Sequence, residues 1–514
     1  MMNEETNAAR DEVVNDKKQS PIAKLVVLAG IAFAILAVLV VATQTFILLV
    51  SLIATLSLAT YLLAALKKHK RMPAGKRVQV PVALLFGLLF VPIAFAGYYS
   101  FGNVGAHSIY SMVVAFGMTM TFMYSMVNVP LTIYHKQMEE TRKVLYATPL
   151  VTIIVPAFNE EKSIRRALDS VIEADYPNKE VIVIDDGSTD NTYAIARSYK
   201  DKMPSDSYLI ISRSNGGKSS AINYAIRYAK GDYIITIDAD SVIGRDSIKE
   251  IMKYFQEPDV VAVGGNIKVR NRNKLLTYCQ ALEYLVGINL FKRAYDVFGV
   301  VMVVPGPLGG FRKKVLLERG EYDTDTLAED FDTTIKVLKT GRAVQASTHA
   351  MSFTEAPETI GGLYKQRLRW NRGNLQTLIK HKDVVTNSRF GMLQKYGYPL
   401  VFLTMIALPF LSMVVAGFTI LALLDGEWYF ILVTFLVFVA LEAVLTAIAV
   451  IMDEEEWKLI LIAPLLVVGY KHLIDIITIK SVFDVAFRKN LKWTSEKANK
   501  TNNKNDNVGD GAQT

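Results

Sequence analysis

A chain of 514 residues exceeds one ordinary domain, and it is 51% hydrophobic yet 21% charged, which fits a soluble domain joined to membrane segments better than one uniform core. Its single cysteine, Cys279, excludes an internal disulfide and a cysteine metal cluster, and its six histidines show no pair at metal-ligand spacing. The net charge of +8 is moderate and lies in loops beside apolar runs and in the central region, which points to an anionic headgroup surface or an anionic substrate and away from nucleic acid.

Residues 1–20 are polar and mixed in charge, and read as a disordered cytoplasmic tail without signal-peptide features. Residues 21–66 are a long, largely apolar stretch with its main interruption near Thr43-Gln44-Thr45. At about 20 residues per crossing this stretch predicts a hairpin of two spans. The basic loop from Lys67 to Arg77 is expected to face the cytoplasm. Val78–Tyr99 and Ile109–Ile133 predict two more spans, so the region 21–135 holds about four and returns the chain to the cytoplasm at His135-Lys136.

Residues 136–390 change character. Short apolar runs at Val151–Val155, Glu180–Ile184, Leu209–Ser212 and Tyr233–Ile237 alternate with helical spacing at Ser163–Glu173, Thr192–Tyr199 and Ser219–Ala229. Strand, helix, strand, helix predicts a right-handed parallel sheet with helices on both faces. After 390 the chain turns apolar again. Tyr398–Leu424, Trp428–Met452 and Leu459–Ile479 predict two or three spans within 391–487, and 488–514 reads as a second disordered tail. Three full crossings would place that tail outside, against its Arg488, Lys489 and Lys492. Lys471, His472 and Asp475 in the last segment suit a polar path more than a lipid-facing one.

The stretch from Tyr233 to Ser241 carries the sharpest chemistry. An apolar strand runs into Asp238 and Asp240, and i and i+2 in an extended segment point to one side. Two carboxylates so placed can hold a hard cation, Mg²⁺ or Mn²⁺, with diphosphate oxygens on its open side; a solvated loop after a strand gives the same pattern. Four other motifs accompany it. Pro156-Ala157-Phe158-Asn159-Glu160 follows the first strand, at an edge suited to a nucleoside or as a plain turn with helix-start residues. Asp185-Asp186-Gly187-Ser188-Thr189-Asp190 follows the second, where a carboxylate can accept from a base imide N–H, and capping accounts for Asp190. Asn215-Gly216-Gly217-Lys218 offers close backbone approach and a cation for phosphate, or is simply a flexible turn. Further on lie Gly306-Pro307-Leu308-Gly309, the acid pair Glu329-Asp330, and Gln366-Arg367-Leu368-Arg369-Trp370. Arginine suits bidentate phosphate contact and Trp suits a sugar face, though a basic helix at a membrane surface looks similar.

In this order the motifs resemble those of family-2 glycosyltransferases, in particular the processive membrane-embedded synthases of hyaluronan, cellulose, chitin and poly-N-acetylglucosamine. The resemblance spans about 150–375, and the stretches Gly265–Val269 and Gln280–Tyr284 look most like the poly-N-acetylglucosamine branch. It implies an α/β GT-A (Rossmann-like) catalytic domain in the cytosol, inserted between α-helical transmembrane segments of a multi-pass cell-membrane protein. It implies an inverting transfer from a UDP-sugar, most simply UDP-N-acetylglucosamine, to a growing polysaccharide that is exported. Asp186 would hold the uracil with Asp185 in support; Pro156, Glu160 and Lys218 would line the donor site; Asp238 and Asp240 would bind the metal. Asp330 would be the general base, and Gln366, Arg367, Arg369 and Trp370 would hold the diphosphate and the acceptor end. A small membrane subunit is compatible with this reading. The alternative is a non-processive enzyme that adds one sugar to a lipid-linked acceptor.

Overall fold

The computed structural model describes residues 145–487 except 205, with isolated helical positions between 110 and 140. The spans expected at 21–66 and 78–99 and the tails 1–20 and 488–514 lie outside the described residues, and the span expected at 109–133 is described only at scattered positions.

The first half alternates as the sequence predicts. It runs β1 (Val151–Ala157), α1 (Ile164–Glu173), β2 (Lys179–Asp185), α2 (Thr192–Arg197), β3 (Tyr208–Ser212), α3 (Lys218–Ile226) and β4 (Tyr233–Thr236). The four strands are parallel, with β1 between β2 and β4. β1 is buried at six of its seven positions, as expected for a strand covered on both faces. Ile164, Ala167, Leu168 and Val171 of α1 are buried, one helical face. Pro156 lies beyond the last β1–β4 pair, Ile154 with Thr236, so its missing N–H takes nothing from the centre of the sheet.

The second half departs from a purely parallel sheet. After β5 (Val242–Ile243) and α4 (Ser247–Tyr254) come β6 (Val260–Val269), α5 (Leu275–Glu283), a π-helical turn at Tyr284–Leu290, and α6 (Phe291–Val297). Then follow β7 (Gly309–Arg312), α7 (Lys313–Glu318), α8 (Glu329–Leu338), β8 (Ala343–Thr354) and the long α9 (Ile360–Lys380). The eight strands lie in the order β3-β2-β1-β4-β7-β6-β8-β5. β7 runs antiparallel to both β4 and β6, and β5 antiparallel to β8. The sheet is therefore mixed. β7 is a four-residue strand with two glycines and gives little apolar periodicity to read. β1 is the switch point where neighbouring strands depart in opposite directions, so a ligand crevice opens past the carboxyl ends of β1 and β4.

Beyond the α/β domain stand α10 (Leu393–Leu424) and α11 (Trp428–Asp453), each long and apolar enough to cross a membrane. The segment read as a third span is broken instead. α12 (Trp457–Val467) and α13 (Tyr470–Ala486) meet at a bend of 55°.

Candidate active site

The turns leaving β1 and β2 lock together. Thr189 N–H donates to Asn159 Oδ1 at 2.9 Å, Asn159 N–H donates to Ser188 Oγ at 3.0 Å, and Glu161 N–H donates to Asp190 Oδ2 at 3.2 Å. Asp190 Oδ1 accepts the N–H of Thr192 at 3.0 Å, from the position just before the N-cap Asn191 and not from the cap itself. Glu160 is drawn into the same lattice, its backbone N–H donating to Thr192 Oγ1 at 2.7 Å and its carboxylate accepting from Ser163 Oγ. Its helix-start role is thus realised here.

Asp186 is buried, and its carboxylate accepts from Gly216 N–H at 3.1 Å and Gly217 N–H at 2.8 Å, with Arg213 Nε 3.3 Å away. Burial raises its pKa, the two glycine amides and Arg213 oppose the shift, and the neighbouring Asp185 charge adds to it. The second motif therefore holds the third. Asp185 accepts from Ser212 Oγ at 3.3 Å through one oxygen, while its other oxygen is buried without a hydrogen-bond partner. Of the two aspartates, Asp185 keeps the acceptor capacity that a base imide would use.

The loop tied to Asp186 ends at Lys218, the first residue of α3. Lys218 Nζ stands 2.6 Å from Asp238 Oδ1 and 3.3 Å from Glu329 Oε1. Burial disfavours the ammonium, but the Asp238 and Glu329 charges outweigh it and raise its pKa. Asp238 is shifted up by burial and by the Asp240 charge, with Lys218 opposing. Glu329 is held below the usual range because Lys218 and Arg369 overcome its burial.

Asp330 is the second residue of α8 and accepts from Phe331 N–H at 2.8 Å. Burial, with the Glu329 charge adding, pushes its pKa up to about 6 against the pull of Lys218 and Arg369. A carboxylate in that range suits proton abstraction near neutral pH.

A divalent cation fits the Asp238–Asp240 corner. The site already draws one cation, Lys218, onto Asp238. Gly306 lies against it, since a Cβ there would stand 2.6 Å from Lys218 Nζ and 3.3 Å from Asp238 Oδ2. Among the described residues one other acidic group lies close together, Asp323, Asp325 and Asp332. Lys380 Nζ closes that group at 2.5, 2.7 and 3.2 Å.

The Gln366–Trp370 motif lies on α9 and divides by direction. Arg369 lies close enough to the acid pair for its charge to pull both carboxyl pKa values down. Arg367 is buried, donates to Glu283 Oε2 at 2.8 Å, and its guanidinium lies 4.4 Å from the Trp370 ring centroid. Of the two ends expected for this motif, diphosphate and acceptor, a buried guanidinium paired with Glu283 and stacked on Trp370 suits the acceptor end better. Gln366 Oε1 is buried without a partner. Glu329 and Glu283 were absent from the expected site; adjacency to Asp330 and the Gln280–Tyr284 stretch were the available signals.

A half-parallel, half-mixed sheet with carboxylates at the exits of β2 and β4 and a late acid pair defines a nucleotide-sugar transferase fold of the GT-A type. Residues 152–320 match the family model described as glycosyl transferase family 2. That match covers the α/β domain from β1 to just past α7. Curated relatives include a poly-beta-1,6-N-acetyl-D-glucosamine synthase of Staphylococcus aureus (strain COL), 33% identical over 231 residues, covering 45% of this chain and 56% of that protein. The synthase of the same name from Staphylococcus epidermidis matches with the same identity and coverage. The aligned region is thus 56% of the length of the relatives it matches. Among solved structures, the mannosyltransferase PcManGT from Pyrobaculum calidifontis, in complex with GDP-Man and Mn²⁺, is similar at a TM-score of 0.51 and 20% identity, covering 74% of this chain and 99% of that one. That likeness supports the fold.

Proposed function

We propose that this chain is a membrane-embedded inverting glycosyltransferase that polymerises N-acetylglucosamine from UDP-N-acetylglucosamine and passes the product across the membrane. One observation carries the catalytic reading: Lys218 joins Asp238 to Glu329, so the metal-type carboxylates and the acid pair, far apart in sequence, share one centre. The sugar and the polymeric product are carried by the relatives, which are named as synthases of that polymer.

The acceptor hydroxyl oxygen attacks the anomeric carbon while Asp330 takes its proton. The bond from that carbon to the diphosphate oxygen breaks, and UDP leaves with the electron pair. Lys218 and Arg369 stand where negative charge builds on the leaving diphosphate and stabilise it more in the transition state than before it. A divalent ion held by Asp238 and Asp240 would add Lewis-acid neutralisation of the diphosphate. Asp185 and Pro156 line the nucleoside edge, and Trp370 offers an aromatic face to the acceptor sugar.

A polar polymer does not cross about 30 Å of hydrocarbon unaided. α10 and α11 supply the apolar length for a membrane anchor. The test is UDP release by purified protein in detergent with UDP-N-acetylglucosamine, with the product sized, for the native chain and Asp330→Asn. The expected result is a long product from the native chain, and donor binding without transfer in the variant. A product one sugar long would instead support transfer to a lipid-linked acceptor, and normal turnover by Asp330→Asn would overturn the base assignment.

A further inference from the structure

The Gln366–Trp370 motif is held from outside the catalytic domain. Glu283, the last residue of α5, receives two donors on one oxygen, Arg367 Nη2 and the Tyr470 hydroxyl. Tyr470 is the first residue of α13, placed immediately after the break that separates it from α12. Arg367 lies against two rings, 4.4 Å from the Trp370 centroid and 5.5 Å from that of Tyr284. Tyr284 and Trp370 are themselves 6.4 Å apart, centroid to centroid. Arg367 Nε has no hydrogen-bond partner and is buried, so Glu283, the two rings and the nearby Tyr470 hydroxyl are what fix the guanidinium. Its orientation then fixes that of the indole.

We propose that Tyr470 is a positioning residue for the acceptor. Its hydroxyl orients Glu283, Glu283 orients Arg367, and Arg367 holds the Trp370 ring on which the acceptor sugar is received. A bend that would be a defect in a membrane span thus has a use. It stands where the first turn of α13 meets the end of α5, with Tyr470 on Glu283. This rests on the assignment of Trp370 to the acceptor side made above.

The variant is Tyr470→Phe, which keeps the ring and removes only the hydroxyl. The measurement is initial rate against both substrates, with UDP-N-acetylglucosamine as donor and a short β-1,6-linked N-acetylglucosamine oligomer as acceptor. The KM for acceptor is expected to rise about tenfold, the scale of one lost hydrogen bond to a charged group, with the KM for UDP-N-acetylglucosamine unchanged. Arg367→Lys should give the same split, and the double variant should be no worse than either single one, because both act through Glu283. A merely structural role would raise both KM values together and lower the melting temperature. An unchanged acceptor KM, or additive effects in the double variant, would overturn the proposal. The length of product made by the native chain reports separately on polymerisation, so a one-sugar product would defeat that reading and leave this one still measurable.

Discussion

Lys218 and Asp238 form an ion pair of 2.6 Å at the mouth of the crevice, and the same ammonium reaches Glu329 at 3.3 Å. Taking away the ammonium leaves Asp238 and Glu329, with their neighbours Asp240 and Asp330, without the cation that bridges them, and Arg369 as the remaining positive charge beside the acid pair. Lys218→Met is therefore expected to lower kcat/KM by about 10²–10³, the range seen when one preorganised charge-stabilising group is removed. UDP release at saturating divalent ion checks this, and near-native turnover would show that Lys218 is only a structural pair.

Asp330 must be ionised to take a proton, and burial with the Glu329 charge holds its pKa at about 6. Since the folded value is raised, the active form is lost as pH falls through 6, and kcat/KM should drop about tenfold per pH unit below it. Glu329→Gln removes a like charge, which lowers the Asp330 pKa and moves the acid limb to lower pH. A pH profile of both proteins measures this. An acid limb that stays in place, or moves upward, would place the titrating group elsewhere.

The carboxylate sites were legible in the sequence because each sits where an apolar run stops. The runs at 151–155, 180–184 and 233–237 became β1, β2 and β4, and Asp185, Asp186, Asp238 and Asp240 fell at their exits. What the sequence hid was tertiary. Nothing in Asn215-Gly216-Gly217-Lys218 reveals that its amides are held by Asp186 and its lysine by Asp238. The direction of Arg367 was hidden for the same reason. Two arginines spaced i, i+2 on a helix point about 200° apart, and which one is spent internally depends on Glu283 and Tyr470, far away in the chain. The antiparallel strand β7 and the break between α12 and α13 were missed because a short glycine-rich strand and a bent apolar helix leave no periodic mark.

Gly373 governs how α9 meets the acid pair. A Cβ there would lie 2.6 Å from Ala328 N and 2.7 Å from Leu327 C, backbone atoms that cannot rotate away. Gly373→Ala is expected to push the start of α8, and Asp330 with it, out of place. Overpacking of this kind costs about 1–3 kcal/mol, seen as a lower melting temperature, and kcat should fall about tenfold or more because small misplacement of a reacting group is costly. A native kcat in this variant would mean that α8 and α9 have slack between them.

Divalent ion removal separates the metal reading from a purely lysine-based one. Chelation should abolish transfer, and Mn²⁺ or Mg²⁺ should restore it. Asp240→Asn should raise the metal concentration needed for half-activity by about tenfold or more, while the Lys218–Asp238 pair keeps the fold intact. Full activity after exhaustive chelation would remove Asp238 and Asp240 from metal binding and leave Lys218 as the cation of the site.

The course of α12 and α13 bears on where the chain ends. α11 finishes at Asp453, which pairs with Arg293, and Glu455 just beyond it binds Lys268 at 3.1 Å and Arg272 at 2.5 Å. These partners belong to β6, the loop after it and α6, all in the catalytic domain. At the far end of α13, Asp484 pairs with Arg372 of α9, and Thr478 accepts from Asn371 at 2.8 Å. Both ends of the segment 457–486 are thus tied to the catalytic domain, and the 55° bend lies between them. The expected outcome is therefore a re-entrant course for this segment, two crossings by α10 and α11, and Phe487 on the side of the catalytic domain. That outcome also accords with the basic residues that follow Phe487. Single cysteines at Phe487, which is 71% exposed, and at Gly426, in the turn between α10 and α11, should react with an impermeant thiol reagent from opposite sides of sealed vesicles, Phe487→Cys from the side of the catalytic domain. The native Cys279 is buried and contributes little background. Labelling of both cysteines from the same side would make the bent segment a full crossing.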